Sequence, residues 1–205
     1  MAAFDNFTLL PGDILQTDIP ALVREQFPGL RPIACANLPY NITTPALTAL
    51  VEAACFESIT VMVQKEAAER ILARPGSREA GVFSLFMQYH TAPELLFEVP
   101  PDCFFPAPHV TSAVIRCPVY RTPPVAARCG EAFLFTVIRA AFAQRRKTLV
   151  NALAAVWHLD KGALEAVLAA CGLPRDVRGE RLGLEDFAAL ADALSEALGE
   201  GDRRA

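Results

Sequence analysis

The segment with the densest chemistry is Asn37-Leu38-Pro39-Tyr40, directly after a short apolar strand predicted over 33–36. In open α/β sheets, ligands collect at the carboxyl ends of strands, so this tetrad stands where a substrate belongs. Its residue types suit one difficult reaction. The exocyclic amine of adenine is a poor nucleophile because its lone pair is delocalised into the ring. A site that accepts both of its N–H bonds lets the nitrogen pyramidalise and frees the lone pair. The Asn37 side-chain oxygen is one acceptor and the Leu38 carbonyl the natural second. Pro39 biases Leu38 toward an extended backbone and removes a competing donor. Tyr40 offers a flat face for a base, and such stacking is worth roughly 1–3 kcal/mol per base. The base must be unpaired or flipped to arrive there. No strong general base is required, in keeping with the lack of a nearby His or Glu. The bland alternative is a strand that ends in a polar turn.

Three further segments favour the functional reading. Gly12-Asp13 closes the preceding predicted strand, Gln64-Lys65-Glu66 follows the next one, and Phe104-Phe105-Pro106-Ala107-Pro108 offers a second aromatic wall.

The elements that must position these groups read as α/β over 1–121. Strands are predicted at 7–10, 33–36, 58–64, 95–99 and 110–117. The 58–64 run is apolar on both faces, which marks a buried parallel strand. A helix is expected with Thr43 or Thr44 as cap, Pro45 at its first position and a body over 46–55. A second runs over 65–74. The alternation predicts a mainly parallel sheet. Thr122-Pro123-Pro124 reads as a linker, and 122–205 reads as a small all-α domain. There Leu149, Leu153, Val156 and Trp157 share one helix face, Leu164, Val167, Leu168 and Cys171 a second, and Phe187, Leu190, Leu194 and Leu198 a third.

The 205 residues are 53% hydrophobic and 20% charged, enough apolar material for a real core. The longest uncharged run, 32–51, holds three prolines and two asparagines and cannot span a membrane. With no signal peptide at its start, the chain reads as soluble and cytoplasmic. Its six cysteines form no Cys-x-x-Cys pair and no histidine stands at zinc spacing, so buried reduced thiols and no metal are expected. Net charge is −4, yet 104–151 carries Arg116, Arg121, Arg128, Arg139, Arg145, Arg146 and Lys147 against Glu131 alone. A segregated basic face on an acidic protein predicts a specific anionic partner.

In these segments the chain resembles the ribosomal RNA small-subunit adenine dimethyltransferases, within the class I (Rossmann-like) S-adenosylmethionine-dependent methyltransferases. The resemblance runs through Gly12-Asp13-Ile14-Leu15, Ala36-Asn37-Leu38-Pro39-Tyr40-Asn41-Ile42-Thr43-Thr44-Pro45 and Val63-Gln64-Lys65-Glu66. It continues through Pro75-Gly76-Ser77, Phe104-x-Pro-x-Pro, Ser112-Ala113-Val114, Arg145-Arg146-Lys147-Thr148-Leu149 and Arg181-Leu182. It implies that Asp13 and Ile14 bind the cofactor, Asp13 through its adenine amine. It implies further that Asn37 touches both cofactor and target, that Leu38 supplies its carbonyl, and that Tyr40 and Phe104 sandwich the base. Arg139, Arg145, Arg146 and Lys147 would then face rRNA phosphates. The implied substrate is a pair of adjacent adenosines in the 3′-terminal hairpin of 16S rRNA in a pre-30S particle, dimethylated on N6. DNA is not the implied partner, since DNA adenine methyltransferases usually carry a second Pro in place of Leu38.

The departures are specific. His109 and Thr111 replace the family's usual Lys and Asp, and Gly183 stands where a capping Ser or Thr is common. No Gly-x-Gly-x-Gly pattern occurs in the sequence. Against the resemblance the chain therefore reads as N-terminally truncated, an incomplete sheet domain with an exposed edge at the 33–36 strand, weak cofactor binding and poor solubility. Two alternatives follow: a catalytically impaired rRNA-binding assembly factor, or a large-subunit rRNA adenine methyltransferase.

Overall fold

The computed structural model describes residues 6–199. Its sheet has four strands, β1 (Ile33–Asn37), β2 (Ser58–Gln64), β3 (Glu94–Val99) and β4 (Ser112–Pro118), in the order β1-β2-β4-β3. The two inner strands are the most buried, and Ile59, Val61, Val63, Ala113, Ile115 and Cys117 form the centre of the sheet core. Helices α1 (Ile19–Gln26) and α2 (Thr43–Glu52) bury Ile19, Val23, Leu47, Leu50 and Val51 against it, and α3 (Lys65–Ile71) adds Ala68 and Ile71. Helix α4 (Val82–His90) follows, then α5 (Glu131–Ala143), α6 (Leu149–Trp157), α7 (Lys161–Ala170) and α8 (Leu184–Leu198). The last four enclose a second core around Leu134, Ile138, Leu153, Leu168 and Phe187.

Helix α4 joins the two cores. Met87 lies in the sheet core, Leu85 and Tyr89 in the helical one, and Phe86 packs against both. None of its residues is exposed: Ser84 donates to the Arg70 carbonyl and Gln88 to those of Ile71 and Ala73, while the apolar residues divide between the two cores.

Several sequence expectations are corrected. Only β1 and β2 pair in parallel; β4 runs antiparallel to both β2 and β3. A parallel return needs a crossover, usually a helix, and the proline-rich 100–111 segment supplies none, so β3 and β4 close as antiparallel neighbours. The 7–10 run is not a strand. It pairs with nothing among the described residues, and Phe7, Leu9 and Leu10 are exposed. The β1 edge is open as expected, with Ile33 exposed. Neither Thr43 nor Thr44 caps α2: the chain enters it from a 3-10 turn (Tyr40–Ile42), and Thr43 Oγ1 instead donates to the Pro39 carbonyl at 3.4 Å. Cys35 and Cys103 are exposed rather than buried, because β1 is uncovered on the face that carries Cys35 and Cys103 lies in the surface loop after β3. Cys117 is buried, and desolvation pushes its thiol up to about 12. At Gly183 the missing hydroxyl is offset from the other side, since Asp186 accepts the Gly183 N–H at 2.9 Å.

The helical layer is latched by Asp192, whose carboxylate accepts the Cys129 N–H at 2.9 Å and the Arg128 Nε at 3.2 Å. Burial alone would raise its pKa, but the bonds from Cys129 and Arg128 outweigh it and hold the group below its ordinary value of 3.8. A depressed folded-state pKa stabilises above the unfolded value and loses that contribution as pH falls through the folded one. Asp192→Asn is therefore expected to cost about 1–2 kcal/mol at neutral pH. Urea unfolding of both proteins checks this: the gap should persist down to the ordinary carboxylate pKa and close below it.

Candidate active site

The tetrad sits where β1 ends. The Leu38 N–H donates to the Met62 carbonyl at 3.3 Å, which carries the β1–β2 ladder one residue beyond Asn37 and buries the Leu38 side chain. Pro39 then stops the strand, having no N–H to offer it. Its carbonyl takes the Ile42 N–H at 3.1 Å, and the chain turns into α2. Tyr40 is swung back over the sheet and pinned there, its hydroxyl 2.7 Å from Ser112 Oγ. Ser112 is fully buried at the start of β4, so the anchor reaches across β2 from the rim to the sheet interior.

Asn37, Leu38, Pro39, Tyr40, Phe104, Pro106 and Pro108 line one open cleft of about 280 Å³. The proline-rich loop thus returns to face the tetrad, and of its two aromatics Phe104 lines the cleft while Phe105 is entirely exposed. The lining has no carboxylate, imidazole, thiol or amine. Among the described residues, neither the Asn37 carboxamide nor the Leu38 carbonyl has a hydrogen-bond partner, so both are available to a ligand. Rim acceptors without internal partners, between two rings and with no base beside them, can bind the N–H groups of an aromatic amine and orient it.

Asp13 and Ile14 lie elsewhere. Asp13 occupies an exposed turn in which Oδ1 accepts the Leu15 N–H at 2.9 Å and Oδ2 the Gln16 side chain at 3.3 Å. Ile14 packs on the sheet core, and neither residue lines the cleft. Thr111, one of the departures, acts through its main chain, its carbonyl accepting the Lys65 N–H at 3.0 Å.

The four basic residues divide. Arg146 and Lys147 are exposed in the α5–α6 turn and unpaired among the described residues. Arg139 is exposed on α5, with its Nη2 on Thr136 Oγ1 at 3.2 Å. Arg145 has an internal task, donating to the Arg78 and Ala80 carbonyls at 2.7 and 2.8 Å with Glu180 at 3.7 Å. These bonds draw three separate segments together. The Gly76 N–H meets the Glu180 carbonyl at 2.6 Å, and the Leu149 N–H meets Val177 at 2.7 Å. Arg74, Arg78, Arg175, Arg178 and Arg181 are exposed on the segments so joined, none paired with a carboxylate among the described residues. Sequence reading missed them because they are single arginines in two distant stretches, 74–78 and 175–181, with no run to mark them.

The fold resembles that of solved methyltransferases. A dimethyladenosine transferase from Plasmodium falciparum superposes with a TM-score of 0.72 at 21% identity, over 92% of this chain and 72% of its own. The 23S rRNA methyltransferase ErmE gives 0.66 at 19%, over 91% and 71%. The chain thus has the Rossmann-like fold of these methyltransferases.

The family model for ribosomal RNA adenine dimethylase matches residues 3–194, and the chain belongs to that family. The ribosomal RNA small subunit methyltransferase A of Lachnoclostridium phytofermentans is 43% identical over 201 residues, and that of Alkaliphilus oremlandii 39% over 200. Each match covers 97% of this chain and 69% of the relative.

Proposed function

We propose that this chain transfers methyl groups from S-adenosylmethionine to the N6 amines of two adjacent adenosines in the 3′-terminal hairpin of small-subunit rRNA, acting on a pre-30S particle. The observation that carries the reading is the pair of unpartnered acceptors, Asn37 and Leu38, in one cleft with Tyr40 and Phe104. As a member of its family the protein is an rRNA adenine dimethyltransferase.

In this reading residues 1–121 form the catalytic part and 122–205 the RNA-facing part. A target adenine enters unpaired between Tyr40 and Phe104, and the Ser112 anchor keeps the Tyr40 ring from rotating away. The Asn37 oxygen and the Leu38 carbonyl each accept one N6–H. The nitrogen becomes tetrahedral, and its lone pair leaves the ring system. With no titratable base in the cleft, alignment and hydrogen bonding do the activating, and the proton leaves to solvent through the open mouth.

S-adenosylmethionine fits the donor and acceptor chemistry of the residues at hand. The Asn37 carboxamide has a free N–H₂ to give, and the Asp13 carboxylate keeps unused lone pairs despite its turn. Asp13, Ile14 and Asn37 would hold the cofactor, which supplies an electrophilic methyl on a sulfonium. Arg146 and Lys147, with the neighbouring arginines, would bind phosphates, leaving the cleft to read the base.

The test is transfer of labelled methyl from S-adenosylmethionine to unmethylated small ribosomal subunits by the 205-residue chain. N6-dimethyladenosine in 16S rRNA is the expected product. Salt-sensitive association without transfer would replace the reading with that of an assembly factor, and label in 23S rRNA would replace it with a large-subunit enzyme.

A further inference from the structure

A second cleft, of about 570 Å³, runs between α2 and α5 with α4 beneath it. Thr44, Thr48 and Glu52 lie at four-residue steps on one face of α2, and Glu131, Phe135 and Arg139 do the same on α5. The floor is aromatic: Phe83 and Phe86 stack with centroids 6.3 Å apart, and Phe86 meets Phe135 edge-on at 6.0 Å.

The groove is electrically polarised along its length. Glu131 lies 3.4 Å from His90 Nε2, at the C-terminal end of α4. Burial lowers the His90 pKa, while Glu131 and Glu52 both act to raise it, so both carboxylates stand at that end. Arg139 and Thr44 are each eight residues away along their helices, about 12 Å at 1.5 Å per residue. They therefore mark the opposite end. Thr44 is also four residues after Tyr40, so the 3-10 turn Tyr40–Ile42 connects the Arg139 end of the groove to the tetrad along the chain. Four such residues rise about 6–8 Å. That is close to two steps of a stacked strand at about 3.4 Å per nucleotide.

We infer that this groove is a second nucleobase subsite, which takes an unpaired base near the target on the same RNA strand and prefers a base with an exocyclic amine. The inference rests on the proposed RNA substrate. Arg139 meets a phosphate on the strand between the target and this base, the phenylalanine floor receives the base, and Glu52 with Glu131 accept amino N–H groups at the far end. Adenine, cytosine and guanine each present an amine. Uracil lacks one, and its two carbonyls would face the carboxylates.

The measurement is fluorescence-anisotropy binding of the full chain to short single-stranded RNAs that differ only in the nucleotides beside one adenosine: all A, C, G or U. Wild-type protein should bind the U-flanked RNA about fivefold to tenfold more weakly, the low end for one lost base contact. Glu52→Gln, at an exposed side chain with no ion pair among the described residues, should bring the four affinities within about twofold of one another. Thr48→Trp, which fills the groove, should weaken binding to every RNA about tenfold, the cost of one unstacked base. Tyr40→Ala separates the two readings. If it weakens binding while both groove variants behave as wild type, the subsite is overturned and the tetrad reading stands. If Tyr40→Ala leaves affinity unchanged, the tetrad reading itself falls, and the subsite with it.

Discussion

Asn37→Ala is expected to lower the rate of methyl transfer by about 10²–10³-fold, the usual loss when one preorganised polar partner of a transition state is removed. The reason lies in the cleft lining, which has no second side chain able to do the same work. Leu38 retains its carbonyl, so one N6–H stays bound, but a single acceptor leaves the nitrogen planar and its lone pair conjugated. The loss should fall on kcat rather than on RNA affinity, because the rings of Tyr40 and Phe104 and the distant cations are untouched. The side chain is exposed and without an internal partner, so the melting temperature should stay near that of the wild type. Single-turnover transfer beside equilibrium RNA binding makes the check. An Asn37→Ala protein that transfers methyl at an undiminished rate would remove the mechanism.

Arg145→Ala and Arg146→Ala should differ sharply although the residues are neighbours in one basic run. Arg145 holds two carbonyls of the 78–80 segment and approaches Glu180, so its removal breaks charge-assisted bonds that tie the α5–α6 turn to the loop between α3 and α4. Such bonds contribute about 1.5–3 kcal/mol each when sheltered. The Arg145 side chain is 45% exposed, and water compensates part of the loss, so a total of about 2–3 kcal/mol is expected. For a chain of this length that lowers Tm by about 4–12 °C. Arg146→Ala should change stability by less than about 0.5 kcal/mol. It should instead reduce RNA affinity and lower the slope of binding against salt by about one charge. Thermal melts and salt titrations of the two variants settle the division. Equal destabilisation would contradict the internal role of Arg145, and an unchanged salt slope for Arg146→Ala would contradict the phosphate-facing one.

The tetrad gains its chemistry from its neighbours. Asn37, Leu38 and Pro39 need only the end of β1, a local matter. Tyr40 needs Ser112, 72 residues further on, and the second wall needs the 100–111 segment to return across the sheet edge. The helical layer depends in turn on α4, through which the two cores are continuous.

Much of this was legible beforehand. The strand before Asn37, the buried run Ser58–Gln64 and the three striped helices follow from local periodicity, which the chain carries wherever one face of an element meets a core. The expectation that Asn37 and Leu38 act as paired acceptors comes from residue type and from Pro39. Helix α4 escaped because its apolar residues serve two cores, so no single face collects them. The two antiparallel pairings escaped because strand direction depends on how a loop returns rather than on the composition of the strand.

By itself, then, the amino-acid sequence determined the residue types of the reactive rim, the alternation of layers and the excess of cations in one stretch, since each is written in contiguous residues. Only the tertiary structure decided that Phe104 and not Phe105 lines the cleft with Tyr40, that Arg145 bonds internal carbonyls while Arg146 does not, and that segments carrying five exposed arginines meet although they are distant in the chain. Those outcomes arise from contacts between segments remote along the chain, where the competition for a carbonyl or for a place in a cleft is settled by distances that no local pattern records.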